Sequence, residues 1–545
     1  MKPGDELLFL ALGGSGEIGM NVNLYGCRGQ WIMVDLGMTF ADPAYPGVEL
    51  VLPDLTFIEE RRDDLLGIVL THGHEDHIGA IPYMANELRV PLYATPFTAG
   101  LIAGKLEEEG LTAEVKLNIV DMLTDFSLGP FGLRYIPLAH SIPEGNALLI
   151  DTPYGRVFHT GDWKLDDSPQ LGDPMTEAEL RAIGDTGVLA LVCDSTNVFV
   201  DAPSGSELGV RQGLDDVIQD ADRRVLVTTF ASNAARLKTL GHVAQDTGRQ
   251  VCVAGRSLER ILRVAKSVGY LTDFPEIIDF ETAMGLPRRD VMIIATGGQG
   301  EQRAALARIA FDQHKLKLER DDLVIFSSKQ IPGNELAIGR IQNELAARGI
   351  EMITDRQAPV HVSGHPGRPE LAAMYDWIRP EIIVPVHGEM RHMMEHARFA
   401  KSHGIPRGIV QKNGDVIRLA PEGPEKLSEQ RVGRFVLDGD VILPADGTTM
   451  NERRKLAALG LISVAVPIGA DGAVAGAIEL ELHGVPVEED REAFVEAACA
   501  AAVDTAAKGR GREERLREEV RLAVRRVATE WTGKKPIVSV LFVRV

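Results

Sequence analysis

Only four cysteines occur among 545 residues, and Cys27, Cys193, Cys252 and Cys499 lie too far apart to form a CxxC pair. The chain therefore carries neither a cysteine zinc knuckle nor a redox dithiol motif, and a reduced, cytoplasmic setting is expected. Long apolar runs are also missing. Leu7 to Leu12 falls far short of the roughly 20 residues a membrane helix needs, and the opening Met1-Lys-Pro-Gly-Asp-Glu6 carries acid where a secretory leader would carry base. No membrane association is expected, and Leu7 to Leu12 reads as a first buried strand. Basic residues are in deficit: 58 Lys and Arg against 79 Asp and Glu leave a formal charge of −21. That balance argues against general affinity for polyanions, whose binders usually show a basic footprint.

With 45% hydrophobic residues, the chain is long enough to bury two or three cores, so several domains are expected. Residues 5 to 165 read as short strands, including Trp31 to Asp35 and Gly67 to Thr71, divided by Gly and Pro turns. From about 223 to 328 the texture changes to apolar strands separated by helix-compatible stretches, the pattern of a parallel sheet with crossover helices. Each of these strands runs into a small polar loop: Phe230-Ala-Ser-Asn233, Gly255-Arg-Ser257, Thr296-Gly-Gly-Gln-Gly300 and Ser327-Ser-Lys329. Ligands bind at such strand ends. A third region, 450 to 545, combines β-like segments with two helical stretches. In the second, Leu516, Val520 and Val524 recur every four residues among arginines and glutamates. A solvated face with intrahelical ion pairs is the simpler reading of that helix, and an RNA or subunit contact the alternative.

Gly14-Ser-Gly16-Glu-Ile-Gly19, with Asp35 downstream, imitates a dinucleotide fingerprint, which demands a helix after the glycines. Asn21-Val-Asn-Leu-Tyr25 instead alternates polar and apolar residues, so a hairpin is expected and Asp35 becomes a candidate brace for another site.

That site is announced by Thr71-His72-Gly-His74-Glu-Asp76-His77, which places three imidazoles and a carboxylate directly after the apolar strand Ile68 to Leu70. These ligands suit zinc and related borderline metals, and two ions side by side are expected. His140, in Leu138-Ala-His140-Ser-Ile-Pro-Glu, and Asp162, in His159-Thr-Gly161-Asp162, both follow apolar strands. The next histidine, His242, lies in an amphipathic helix-like stretch, whereas His387 in Val386-His387-Gly-Glu389 ends an apolar strand.

This constellation resembles the metallo-β-lactamase superfamily. Cys193-Asp194-Ser-Thr-Asn197, His361-Val-Ser-Gly-His365 and His387 resemble the three motifs of its β-CASP branch. With the GGSGEIG start and the closing Trp531-Thr-Gly-Lys-Lys-Pro536, nearly the whole chain is similar to bacterial ribonuclease J. The resemblance implies an α/β protein: an αββα sandwich over 1–200 and 355–430, a parallel-sheet β-CASP insertion at 201–354, a linker at 431–449 and a small α/β domain at 450–545. It implies His72, His74 and His140 on one Zn2+, Asp76, His77 and His387 on a second, and Asp162 bridging both. Mn2+ or Mg2+ are alternatives in turnover. Asp76, Asp194 and His365 are the implied catalytic residues: a metal-activated water attacks, and Asp194 with His365 organises the proton for the leaving 3′ oxygen.

The turn His361, Val362, Ser363, Gly364 and His365 is implied to hold a phosphate. Ser232, Asn233, Arg236 and Gln299 are candidates to receive an RNA 5′ end, although such polar loop residues also cap helices. The expected activity is RNA hydrolysis in 5′ to 3′ exonuclease and endonuclease modes, preferring 5′-monophosphorylated RNA, by a homodimer or homotetramer. Given the acidic charge, local basic groups and metal ions must hold the RNA. Competing readings are a small-molecule metallohydrolase, which leaves HVSGH unexplained, a non-hydrolytic RNA-binding relative, and a DNA-directed β-CASP nuclease.

Overall fold

Leu7, Phe9 and Ala11 all point one way along the strand Leu7–Gly13, and the core they enter is closed by residues of a second sheet. The computed structural model describes residues 4–42, 44–331, 333–470, 473–508 and 513–545, so Met1–Pro3 of the N-terminal reading lie outside the described residues. The chain divides into two compact units, Met1–Thr39 with Leu52–Val432, and Phe40–Val51 with Gly433–Val545.

In the first unit an eight-stranded sheet runs from Glu425–Glu429 through Asp415–Ala420, Leu7–Gly13, Val22–Cys27, Gln30–Val34, Leu65–Val69 and Leu92–Ala94 to Leu117–Ile119. A seven-stranded sheet contains Phe131–Pro137, Asn146–Thr152, Gly155–His159, Ala190–Asp194 and Ile382–Val386 in its interior. Their facing side chains, among them Phe9, Tyr25, Val34, Phe131, Tyr135, Ile150, Val192 and Val384, form one buried cluster. The opposite face of the seven-stranded sheet buries Leu149, Phe158 and Leu191 against Leu180, Leu371, Met374 and Tyr375 of the helices Glu177–Asp185 and Arg368–Ile378. Helix Pro96–Glu108 packs on the last strands of the other sheet. The result is an αββα sandwich. Leu7–Gly13 and Val22–Cys27 pair antiparallel, so the glycine-rich segment sits in a hairpin.

Ala190–Asp194 and Ile382–Val386 are parallel neighbours, with Asp194 opposite Val386. Between them the chain builds a six-stranded, all-parallel sheet in the order Ile277–Ile278, Gln250–Ala254, Val291–Ala295, Val225–Thr228, Leu323–Phe326, Glu351–Ile353. Ile293 and Val324 anchor its own core beneath helices Ala305–Ala310 and Glu335–Ala347.

In the second unit, helices Arg491–Lys508 and Glu513–Thr532 cover one face of a three-stranded sheet, Glu479–His483, Leu461–Ile468, Ile537–Arg544. Val520, Val524 and Ala528 are buried, while Arg515, Arg517 and Arg521 pair with Glu519, Glu513 and Glu518 of the same helix, as its simpler reading anticipates. The stretch expected as a linker, 431–449, holds two strands, Arg434–Asp438 and Val441–Pro444, which join a sheet with Leu50–Pro53 and Thr39–Phe40. The hairpin between them turns at Gly439, whose φ of 61° suits a tight turn, and Gly439-Asp440, the two residues between the paired Asp438 and Val441, was the sequence signal for it.

Truncating the enclosed Ile293 to Ala is expected to destabilise the inserted sheet by about 2–5 kcal/mol. A urea melt should show an earlier transition, and an unshifted melt would contradict this packing.

Candidate metal centre

Every candidate ligand follows a strand end. Leu65–Val69 runs into Thr71 and the short helix Glu75–Ile78, Phe131–Pro137 leads to His140, Gly155–His159 to Asp162, and Ile382–Val386 to His387. Backbone contacts hold these turns in place. Asn21 N donates to Asp76 O at 2.8 Å, Leu36 N to His77 O at 2.8 Å, and His387 N to Gly14 O at 2.6 Å. His387 has φ of 52°, a left-handed conformation that costs a residue with a Cβ and persists only where its surroundings enforce it. Gly37 leaves no room for a side chain, since a Cβ there would meet Asp76 O at 1.8 Å.

The structure brings the predicted ligands into two adjoining groups. In the first, His74 Nδ1 lies 3.1 Å from both His72 Nε2 and His140 Nε2, and Asp162 Oδ2 lies 4.0 and 3.8 Å from those two Nε2 atoms. In the second, Asp162 Oδ1 is 3.3 Å from His77 Nε2, and Asp76 Oδ2 is 3.6 Å from His77 Nε2 and 3.1 Å from His387 Nε2. Donors around a tetrahedral Zn2+ stand about 3.3 Å apart, so each group has the donor chemistry and span to hold one ion, with Asp162 facing both.

The far sides of the rings decide which nitrogen is free. Asp35, in the left-handed region with φ of 65°, accepts from Thr71 N, from Thr71 Oγ1 and, at 2.7 Å, from His77 Nδ1. Because Thr71 Oγ1 spends its hydrogen on Asp35, it accepts from His72 Nδ1 at 3.0 Å. His140 Nδ1 donates to Gly364 O at 2.6 Å. Asp194 Oδ1 accepts from Thr196 N and Oγ1, and Thr196 Oγ1 in turn accepts from His387 Nδ1 at 2.8 Å. In each case the remaining nitrogen turns toward the cluster, the arrangement by which outer partners orient metal-binding imidazoles.

Burial, reinforced by neighbouring imidazoles, holds His72 and His140 well below the usual histidine range. Burial also lowers His74 to about 4. These three imidazoles are neutral donors at neutral pH. Burial opposes the charged form of His77 and His387 too, but the Asp162 carboxylate and further acids raise both well above the ordinary value. Asp162 is driven well below the usual carboxylate range, because the charges of His387 and His77 outweigh its burial.

A third group adjoins these. Asp194, fully enclosed, accepts from His365 Nδ1 at 2.8 Å, and that nitrogen is 3.8 Å from Asp162 Oδ2. Burial lowers the His365 pKa, but the Asp194 charge and hydrogen bond win and raise it. In the turn His361–His365, Gly364 packs on His140: an added Cβ would meet His140 Cε1 at 2.9 Å. His361 is depressed to about 3 by burial and by the cations Arg236, Lys329 and Lys164.

The four residues expected at a 5′-end pocket lie at the strand-end loops of the inserted sheet, three of them with internal partners. Arg236 is fully enclosed and spends its guanidinium on Glu207, Ser327 and the Val360 carbonyl. Asn233 caps helix Ala234–Asp246 by accepting from Arg236 N at 2.8 Å. Gln299 bonds Lys329 O and Ile331 N, joining two loops, while Ser232 is half-buried. These polar loop residues shape the strand ends, and Arg236 directs its charge inward. His242 pairs with Asp273 away from the cluster. Asn21, Thr196 and Asn197 were not singled out from the sequence. Their neighbourhood to the HGHEDH, DSTN and glycine-rich motifs was the available signal.

Two outcomes follow. Asp35→Asn should weaken metal affinity about 10–100-fold in chelator competition, the usual cost of removing an orienting partner. Affinity should also fall as pH falls: His77 and His387 hold protons in the metal-free protein at neutral pH, and an incoming ion must displace them. Calorimetry in buffers of different ionisation enthalpy should register that proton release, and buffer-independent heats would contradict it.

Four family descriptions match in sequence along the chain: "Metallo-beta-lactamase superfamily" over residues 19–226, "Ribonuclease J, beta-CASP domain" over 222–345, "Zn-dependent metallo-hydrolase RNA specificity domain" over 350–408 and "Ribonuclease J C-terminal domain" over 448–545. The ribonuclease J of Sinorhizobium meliloti is 43% identical over 555 residues, covering 100% of this chain and 98% of its own length. That of Thermus thermophilus is 34% identical, covering 98% of this chain and 95% of its own length. A crystal structure of a protein of unknown function from Enterococcus faecalis V583 shares the fold at a TM-score of 0.54 and 17% identity, covering 76% of this chain and all of that one. The chain belongs to the ribonuclease J family of the metallo-β-lactamase superfamily.

Proposed function

We propose that this protein is a metal-dependent ribonuclease that hydrolyses RNA phosphodiester bonds in 5′ to 3′ exonuclease and endonuclease modes. The observation that carries the reading is the meeting of Asp194 and His365 with the histidine cluster: His365 Nδ1 is 2.8 Å from Asp194 Oδ2 and 3.8 Å from Asp162 Oδ2. A small-molecule site has no need of this third group or of the turn that carries it.

His72, His74 and His140 with Asp162 would hold one Zn2+, and Asp76, His77 and His387 with the same Asp162 a second, with Mn2+ or Mg2+ as alternatives. Such ions supply an activated water and offset charge on the phosphoryl oxygens. The chain's own residues do the rest. Asp194 keeps His365 Nδ1 occupied, so the transferable proton of the imidazolium sits on Nε2, where it serves the leaving 3′ oxygen. Asp194 also stabilises the imidazolium, in keeping with the raised His365 pKa. The HVSGH turn, tied through Gly364 O to His140, is placed to receive a phosphate oxygen beside the first group.

A preference for 5′-monophosphorylated RNA belongs to the same proposal, supported by the polar strand-end loops of the inserted sheet around Ser232. A homodimer or homotetramer is supported by the edge strand Ile537–Arg544, where Leu541 and Val543 are exposed at 59% and 48%. No helix among the described residues is long and apolar enough to cross a membrane, and cytoplasmic residence is proposed from the cysteine pattern.

The test is digestion of a 5′-monophosphorylated RNA and its matching DNA by metal-loaded enzyme, beside His74→Ala and His365→Ala. RNA alone should be cut to mononucleotides or defined fragments, and each variant should lose about 100-fold or more in rate. RNA left intact under both zinc and manganese would remove the ribonuclease reading.

A further inference from the structure

Asn197 ends the DSTN segment and takes no part in either metal group. Its side-chain amide nitrogen lies 3.0 Å from His365 O and 2.8 Å from Ser363 Oγ. A carbonyl oxygen only accepts, so the group facing it is the NH2, whose second hydrogen is left for Ser363. The backbone N–H of His365, which only donates, also faces Ser363 Oγ, at 3.2 Å. A serine hydroxyl has one hydrogen and two acceptor positions. Both acceptor positions are filled by groups that cannot accept in return, so the hydroxyl hydrogen points away from both. Among the described residues the Ser363 hydroxyl accepts these two hydrogen bonds and donates none. Ser363 is half-buried, and the next residue, Gly364, packs on His140 of the first metal group. The free hydrogen is therefore presented beside that group.

We infer that Asn197 is a positioning residue that fixes Ser363 as a hydrogen-bond donor to a non-bridging oxygen of the RNA phosphate. Without Asn197 the hydroxyl is free to rotate and the His365 carbonyl loses its partner, so the turn no longer meets the phosphate ready to donate. The inference rests on the ribonuclease reading, and adds a residue that acts on substrate only through Ser363.

The experiment is a double-mutant cycle on the full-length, metal-loaded enzyme: Asn197→Ala, Ser363→Ala and the pair, with 5′-monophosphorylated single-stranded RNA as substrate and inorganic phosphate as competitive inhibitor. Metal content and thermal midpoint are measured in parallel. Each single variant should raise KM for RNA and Ki for phosphate about tenfold, the scale of one hydrogen bond to a charged group. In each, kcat should fall by less than KM rises. The pair should lose no more than about twofold beyond either single variant, because both changes remove the same donor. Should Asn197→Ala lower metal content or thermal midpoint, the cycle is run with Asn197→Ser, whose uncharged hydroxyl has a single hydrogen and cannot serve both His365 O and Ser363 Oγ. A loss of the same size persisting in the Ser363→Ala background overturns the inference. Additive losses of about 100-fold in the alanine pair, or a wild-type KM in Asn197→Ala, overturn it equally. Wild-type enzyme that leaves RNA intact defeats the ribonuclease reading itself, whereas active wild-type enzyme with an additive pair defeats this inference alone.

Discussion

Two carboxylates, Asp162 and Asp194, are enclosed where the sheets of the sandwich end. A charge taken out of water is tolerable only if opposite charges or donated hydrogen bonds replace the lost hydration. That requirement organises everything around them. Asp162 is met by His77, His387 and the rings of the first group, and Asp194 by His365, Thr196 and His387. The groups that satisfy Asp162 and Asp194 come from turns more than three hundred residues apart in the chain, from His77 to His387. Folding the sandwich and assembling the site are therefore the same event.

A second layer of polar groups fixes the first. Asp35 and Thr71 set which ring nitrogen of His72 and His77 faces the cluster, Gly364 does so for His140, and Thr196 for His387. Each of these partners lies in a loop next to a motif. The glycine-rich hairpin, which imitates a nucleotide fingerprint, has a mechanical task instead: it brings Gly14 O to His387 N and Asn21 N to Asp76 O.

Much of this was legible in the residues, because three imidazoles and a carboxylate crowded after an apolar strand have few structural excuses. The sandwich, the parallel inserted sheet and the gathering of His140, Asp162 and His387 follow the pattern of apolar strands that end in polar turns. The partners of Arg236 and Gln299 were not legible, since a polar residue in a loop reads the same whether it faces a cleft or braces the scaffold. Only the position of Glu207 in three dimensions shows that Arg236 turns inward. The strands at 434–438 and 441–444 were read as linker because their strand partner, Leu50–Pro53, is remote in sequence. Asn197 was hidden for another reason: its task depends on which hydrogens its neighbours have left to give, and side-chain type alone does not disclose that.

The adjacency of Ala190–Asp194 and Ile382–Val386 has a consequence for biosynthesis. As the polypeptide emerges from the ribosome, the seven-stranded sheet waits with an open flank until the whole inserted sheet has been made. Leu7–Gly13, which precedes these strands in the chain, waits longer still for Asp415–Ala420. Nascent chains thus carry His72, His74, His140 and Asp162 well before His365 and His387 exist. Domains that fold as units during translation give such a chain an order of events: the inserted sheet can close on its own core first and then deliver the returning strand to its neighbour. The second metal group is completed only afterwards, so the nascent protein remains without its full catalytic constellation until late in synthesis.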